Sequence, residues 1–445
     1  MSSSLRRLAL LPLLLLSALS AFSQTGSPQA TVSEKKDLAI FGLGYYGMPI
    51  PLETFGNIDV EVQKVFVDLG RFNVLGIQQR LSALGLDEFI EAIRKAKQSN
   101  VTIPEKYQFG EAILTEADWN RLVGAFIVAA PVVTSFNSQY NQKTFQWETD
   151  LKVNVTFIDV AAGGSVLGIG EVTTKGTNKQ TQFASIRSAI EGIPSQLQYE
   201  IRKLPAFQLS SQILVSKNGE IKMALGRNMG VMVGDEYSIV VGGMVAGLRD
   251  DREVGLLVVK DVGAEVSTGR AVFGGSFATA GAQLKEIARK GFDIEPYLHL
   301  VGTPGAWALL PGARAVASRG FYDLRPYAAA QIPVGQVIGV FTALFIPVNV
   351  TVGGEYNVAF DRLTLTPWGG IGASYVHFME AISSTSTDTD YLSHVGVQAY
   401  LKASWLVTRD LRVFAEGGIE YWVTVSRFFN PYGGFGVGAG AALKL

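Results

Sequence analysis

From residue 292 to residue 445, apolar and polar residues alternate through one segment after another. No other feature of the chain restricts its fold as much. In the stretch Val348-Asn349-Val350-Thr351-Val352-Gly353-Gly354-Glu355-Tyr356-Asn357, Val348, Val350, Val352 and Tyr356 share one face. Asn349, Thr351, Glu355 and Asn357 share the other. A period of two is that of a strand with one oily and one wet face. A soluble sandwich gives the same local signal, so the connections must arbitrate. Short turns carry paired charges, as in Tyr322-Asp323-Leu324-Arg325-Pro326, Phe360-Asp361-Arg362-Leu363 and Thr408-Arg409-Asp410-Leu411-Arg412. Longer connections lie between them, the clearest being the Ser/Thr-rich stretch 380–390. Short turns on one side and long loops on the other mark an up-and-down barrel of the outer-membrane kind. The pattern predicts about eight strands, near 292–301, 308–319, 323–333, 344–359, 363–378, 394–407, 411–425 and 432–445.

The start of the chain points the same way. Residues 1–23 hold Arg6 and Arg7, then an apolar run at 8–16 broken by Pro12, then Ala21-Phe22-Ser23 before Gln24. A short apolar run followed by a small-x-small site is an export signal. No later run of about twenty apolar residues follows, so no transmembrane helix is expected. The segment from Phe435 to Leu445 alternates like a barrel-assembly signal, although it ends on Leu445 where an aromatic residue is usual.

Formal net charge is −1, which offers no basic field for nucleic acid. Cysteine is absent, which excludes thiol catalysis, cysteine metal sites and a lipid-modified cysteine. Membrane attachment then falls to the barrel. The 49 glycines and 48% hydrophobic residues suit glycine-rich strands better than a helical enzyme.

Alternation also assigns the charges of the barrel to faces. Asp293, Glu295 and His299 share one face of the first strand, and Arg314 lies inward on the second. Glu355 lies inward on the fourth, Gln398 and Lys402 on the sixth, Glu416 and Glu420 on the seventh. Their outward neighbours include Val395, Val397, Ala399, Leu401 and Trp405. Arg or Lys facing lipid at mid-depth costs about 2–4 kcal/mol, so these charges are expected inside. A barrel of about eight strands is just filled by its own side chains. Arg314 and Lys402 are therefore expected to pair with members of the set Glu295, Glu355, Glu416 and Glu420 in a charge network that fills the lumen. The aromatics Tyr297, Trp307, Trp368, Tyr375, Tyr400, Trp405, Tyr421 and Trp422 suit either interfacial girdles or lumen filling.

Residues 34–206 read as a mixed α/β domain. A strand at 38–43 precedes a helical stripe of Val62, Val65, Phe66 and Leu69, then a strand at 72–75. Leu86, Phe89, Ile90 and Ile93 mark a second helix, with basic residues at its end as the helix dipole favours. Strands follow at 126–134 and 151–160. Phe183, Ile186 and Ile190 open a helical face that Leu197, Ile201 and Leu204 continue after a break at Gly192 and Pro194.

Arg71-Phe-Asn-Val-Leu-Gly-Ile-Gln-Gln-Arg-Leu81, and the stretch 151–176 with Ile158-Asp159-Val160-Ala161-Ala162-Gly163, carry a resemblance. Together with the element order they resemble the periplasmic domain of the curli-secretion component CsgG, and a similar middle domain of the flagellar assembly protein T. The likeness spans the α/β domain and implies its fold and a periplasmic location. The chain departs from the curli pattern in lacking an acylated cysteine and in carrying a barrel of its own. Residues 207–277 form a small β-module that resembles the C-terminal β-barrel of the flagellar protein, with Gly230, Gly234 and Asp235 serving a turn. Residues 278–290 read as a short helical linker, and residues 291–445 as the barrel.

Other motifs fall away. Gly42-Leu-Gly44-Tyr-Tyr-Gly47 matches the dinucleotide pattern, but Pro49 and Pro51 interrupt the helix that it requires. Asn100, Asn154 and Asn349 each open an Asn-Val-Thr sequon, a coincidence in a bacterial envelope protein. His299, His377 and His394 lack ligand spacing, with the latter two flanking one outer loop. Asp388 and Asp390 lie in a loop expected to be solvated. No catalytic constellation, cofactor or metal site is expected.

The fold class expected is thus an α+β periplasmic domain, a small all-β module and a C-terminal antiparallel transmembrane β-barrel. The function expected is that of a non-enzymatic protein of the bacterial outer membrane, with its N-terminal domain in the periplasm. Its partners would be outer-membrane lipid, copies of itself or periplasmic envelope proteins, and no nucleic acid. The alternatives are an oligomeric secretion pore and a surface ligand binder or adhesin working through 380–390 and the Arg427–Pro431 connection.

Overall fold

The computed structural model describes residues 32–445, apart from 46, 48, 82, 99–105, 110–111, 116, 118, 121–126, 218, 246–247, 304–305, 335–337, 341–342, 381–390 and 426–428. The expected export signal, Asn100, and Asp388 and Asp390 lie outside the described residues, as do Arg427 and the side chain of His377.

In the α/β unit, β1 (Lys36–Gly42) runs parallel to β3 (Phe72–Arg80) and β6 (Ile127–Asn141), and β2 (Gly44–Tyr45) joins the edge of β6. β7 (Gln146–Asp159) and β8 (Ser165–Asn178) extend the sheet antiparallel, while β4 (Lys106–Phe109) and β5 (Ala112–Thr115) form a separate hairpin. β1 is buried on both faces, which explains its unbroken apolar run. Leu38 and Ile40 meet α1 (Leu52–Asp68), α3 (Gln182–Glu191) and α4 (Ile193–Lys203) on one side. Ala39 and Phe41 meet α2 (Ala83–Gln98) on the other. A fully buried side chain such as Phe66 contributes about 1.5–3 kcal/mol. Thr181 caps α3 by accepting from the Ala184 N–H at 3.2 Å, and Pro194 sits in the first turn of α4.

The helix expected from the Val62–Leu69 stripe forms, but only after both prolines and not at Gly47 as the dinucleotide motif requires. It starts at Leu52, directly after Pro51, because proline is tolerated at a helix start. Gly44 is needed for packing, since a Cβ there would lie 2.1 Å from the Leu81 carbonyl oxygen.

A second unit closes six strands into a small barrel: β9 (Ser210–Lys217), β10 (Glu220–Met223), β11 (Glu236–Val245), β12 (Leu248–Val262), β13 (Ser267–Phe273) and β14 (Gln283–Ile287). The last of these corrects the helical linker expected at 278–290. β14 pairs with both β11 and β9 and closes the barrel, and five residues are too few for periodicity to separate strand from helix.

The final unit is an antiparallel ring of eight strands: β15 (Phe292–Thr303), β16 (Ala306–Ala317), β17 (Leu324–Gln331), β19 (Ala343–Tyr356), β21 (Leu363–Glu380), β22 (Tyr391–Leu406), β23 (Leu411–Thr424) and β24 (Tyr432–Lys444). Pairing of β19 with β21, and of β15 with β24, closes it. Short β18 (Ile338–Val340) and β20 (Val358–Phe360) extend the β19 and β21 hairpins. The expected alternation of loop lengths is only partial, because residues 304–305 alone join β15 to β16 on the long-loop side. Arg325, read with a turn, lies within β17. Asp361 carries the tight β20–β21 turn at φ 55°, a conformation that Asp tolerates better than most residues. No helix among the described residues is long and apolar enough to cross a membrane.

Candidate functional site: the filled lumen and the junction beneath it

Parity along the strands decides what lies inside the larger barrel. Glu295 stands directly across from Arg314, Arg325 from Glu355, and Lys402 from Glu416. All six are buried. The Lys402 ammonium donates to Glu295 at 2.9 Å and to Glu355 at 2.8 Å. Arg325 also binds Glu355, and reaches Asp293 at 2.9 Å. Arg314 lies 3.4 Å from Glu295 and donates to Glu416 at 3.0 Å. Glu416 further accepts from His299 Nε2 and Trp368 Nε1, both at 2.7 Å. Glu420 accepts from Tyr400 Oη at 3.0 Å, from Trp422 Nε1 at 2.7 Å and from Gln331.

Rings fill the space between these charges. The Arg314 guanidinium sits 4.0 Å above Trp368, which stacks on Tyr400 at 4.7 Å, and Tyr400 stacks on His299 at 4.8 Å. The eight aromatics divide evenly. Tyr297, Trp368, Tyr400 and Trp422 are buried in the lumen, whereas Trp307, Tyr375, Trp405 and Tyr421 are exposed outside. Farther along, Asn349 donates to Tyr432 Oη at 2.6 Å, and His394 Nε2 lies 3.1 Å from the Asn430 carbonyl. The Asn349 sequon thus points into the lumen.

Of the side chains singled out from sequence, the lumen gathers Glu295, Arg314, Glu355, Lys402, Glu416 and Glu420. Reading by parity placed Asp293 and His299 on the inner face but gave them no partners, and it missed Arg325. Alternation of Arg325 with Tyr327, Ala329 and Gln331 was available as a signal, but proximity to a turn obscured it.

The outer surface is the reverse. Leu298, Leu309, Val352, Ile371, Val397, Leu401, Ile419 and Val437 are all exposed. Among the described side chains of the eight strands, every charged one has inward parity.

The near mouth of the barrel, on the side of the short turns, is covered by the small barrel. Glu236 pairs with Lys444 and with Arg289 at 3.0 Å, and Arg289 reaches Asp410 at 2.6 Å. Asp235 accepts from Arg202 and Arg319, each at 2.9 Å, and so joins α4, the small barrel and the β16–β17 turn. Its role therefore exceeds the turn expected for it. Gly234 is held at φ 83°, and a Cβ there would lie 2.0 Å from the Ser318 carbonyl oxygen, so the two backbones touch. Glu286 accepts from Arg71 at 2.9 Å, from Arg202 at 2.7 Å and from the Leu209 N–H at 2.9 Å. Burial alone would raise the Glu286 carboxyl, but the two guanidiniums and these hydrogen bonds hold it down to about 2. Burial pushes the neighbouring Tyr237 hydroxyl well above its ordinary value.

These features define a class: a small up-and-down β-barrel with a packed interior, an apolar exterior, and a docked two-part domain at one mouth. Comparison with solved structures gives matches of low identity and low TM-score. Neisserial surface protein A is 13% identical, with a TM-score of 0.26, over 35% of this chain and 97% of that one. The N-terminal β-barrel domain of Pseudomonas aeruginosa OprF is 10% identical, with a TM-score of 0.24, over 35% of this chain and 97% of that one. Lipoprotein GNA1162 from Neisseria meningitidis is 10% identical, with a TM-score of 0.22, over 36% of this chain and 97% of that one. At these scores no property of those proteins transfers to this chain. No family model and no curated protein matches, so the likeness to the curli and flagellar components remains a reading of sequence motifs.

Proposed function

We propose that this chain is an integral protein of a bacterial outer membrane whose closed barrel anchors an interaction domain in the periplasm. The observation that supports this reading is the segregation of charge across the barrel wall. The described ionised groups of the strands lie inside, all but Arg412 with a partner, while Val, Leu, Ile and aromatic side chains form the outer surface. Water solvates such an exterior poorly and hydrocarbon solvates it well. The lumen holds stacked rings and salt bridges, so the barrel serves as an anchor and does not conduct. The docked units lie on the short-turn side, which outer-membrane barrels direct to the periplasm. There the α/β unit and small barrel contact other envelope proteins.

The test is extraction of the full chain from membranes, followed by mass measurement in mild detergent and conductance in planar bilayers. A detergent-dependent, non-conducting monomer is expected. Solubility without detergent would remove the membrane anchor, and a large conducting ring would replace it with a secretion pore.

A further inference from the structure

A cavity of about 280 Å³ lies where the small barrel meets the near mouth of the larger one. Its walls come from both units, and five cationic side chains line it against three carboxylates. Two of the cations are already neutralised: Lys444 by Glu236, and Arg325 by Asp293 and Glu355. Lys260, Arg270 and Arg412 are different, since none of them makes a hydrogen bond or ion pair with another described residue. The Arg412 Nε is buried from water with no partner at all. Glu236 and Asp293 lie near enough to act on Arg412 but bond other cations, and Asp323 is the one lining carboxylate with no ion pair of its own among the described residues. An unpaired guanidinium N–H taken out of water is unfavourable, and a bound anion relieves it.

We infer that this crevice is a binding site for a phosphate-bearing anion, held by Arg412 from the barrel and by Lys260 and Arg270 from the small barrel. A guanidinium fork flanked by an ammonium and a second guanidinium matches the tetrahedral oxygens of phosphate. Neutral donors are at hand in the Tyr322 and Thr364 hydroxyls, which also line the cavity. Lys260 and Arg270 are exposed at its rim, so a ligand enters without moving the lumen. Two sources carry this chemistry: a free phosphorylated solute, or the headgroup of a phospholipid in the near leaflet. The second source rests on the membrane reading above, and the first does not.

The test uses the purified full chain in non-ionic detergent. Inorganic phosphate is titrated against chloride at matched ionic strength, with thermal unfolding and calorimetry as readouts. In parallel, native mass spectrometry follows retention of added phosphatidylglycerol. Saturable phosphate binding, weakened by about tenfold or more in Lys260→Gln/Arg270→Gln and in Arg412→Gln, supports a free-anion site. Retention of phosphatidylglycerol by the parent chain, with loss in the same variants and no phosphate effect, supports the headgroup. Should Arg412→Gln fail to fold, the rim double variant decides alone, because both of its side chains are exposed. Absence of both ligands, or equal binding by parent and variants, overturns the inference.

Discussion

Arg202 Nε, near the end of α4, donates at 2.7 Å to a carboxylate oxygen of Glu286 on the strand that closes the small barrel. Both side chains are buried, and Arg71 binds the same carboxylate from the loop before β3. Replacing Glu286 with Gln removes the one carboxylate that Arg71 binds, leaving it the Phe207 carbonyl, and leaves Arg202 to Asp235. Breaking a buried pair in this way costs about 3–5 kcal/mol. In the full chain, Glu286→Gln is expected to lower the urea midpoint of the α/β unit and small barrel and to expose the segment around 204–210 to protease, while the larger barrel stays folded in detergent.

The same carboxylate sets an acid limit. Its folded-state value of about 2 lies below the ordinary 4.5. The stability it contributes is therefore complete above the ordinary value and is lost as pH falls towards the depressed one. Tryptophan fluorescence and protease sensitivity should show the junction loosening below about pH 4.5. The Glu286→Gln variant should lack that step, and an unchanged acid profile would count against this pairing as its origin.

Within the barrel, Glu416 accepts from Arg314, His299 and Trp368 at once. Substitution by Gln leaves Arg314 without its closest carboxylate. A loss of about 3–5 kcal/mol is expected, read as a lower unfolding temperature by the gel-mobility shift of the folded barrel.

Gly396 faces the lumen against Trp422, and a Cβ there would lie 2.4 Å from the indole ring. Gly396→Ala should cost about 1–3 kcal/mol by overpacking. Trp422→Leu in the same chain should recover part of that loss, giving a non-zero coupling energy in a double-mutant cycle. Purely additive effects would show that the two positions do not touch.

On the outer wall, Val397 is 56% exposed midway along β22. Val397→Lys should cost about 2–4 kcal/mol in a bilayer and much less in a water-soluble setting. Comparison of refolding yields in lipid vesicles and in detergent separates the two.

Much of this architecture was legible because strand parity is a local property. The eight long strands, and the inward placement of Glu295, Arg314, Glu355, Lys402, Glu416 and Glu420, follow from alternation over a few residues. The aromatics were left open between girdle and lumen, although the same parity divides them: Trp422 shares the phase of Glu416 and Glu420, and Trp405 opposes that of Lys402. Arg325 was hidden by its closeness to the Tyr322-Asp323 turn. The junction pairs were beyond reach, since Arg71 and Glu286 stand 215 residues apart with no spacing rule to join them. The strand at 283–287 was lost for the opposite reason, being too short to show a period.

β15 and β24 meet where Lys290 N–H donates to the Leu445 carbonyl at 2.7 Å, and Lys444 reaches up to Glu236. The closing edge of the ring is therefore gripped by the neighbouring unit. Without its small partner the barrel would keep the β15–β24 ladder but leave the Lys444 ammonium without Glu236 at its mouth. The small unit thus fastens the near end of a seam that β15 and β24 pair on their own from Asp293 to Gly302.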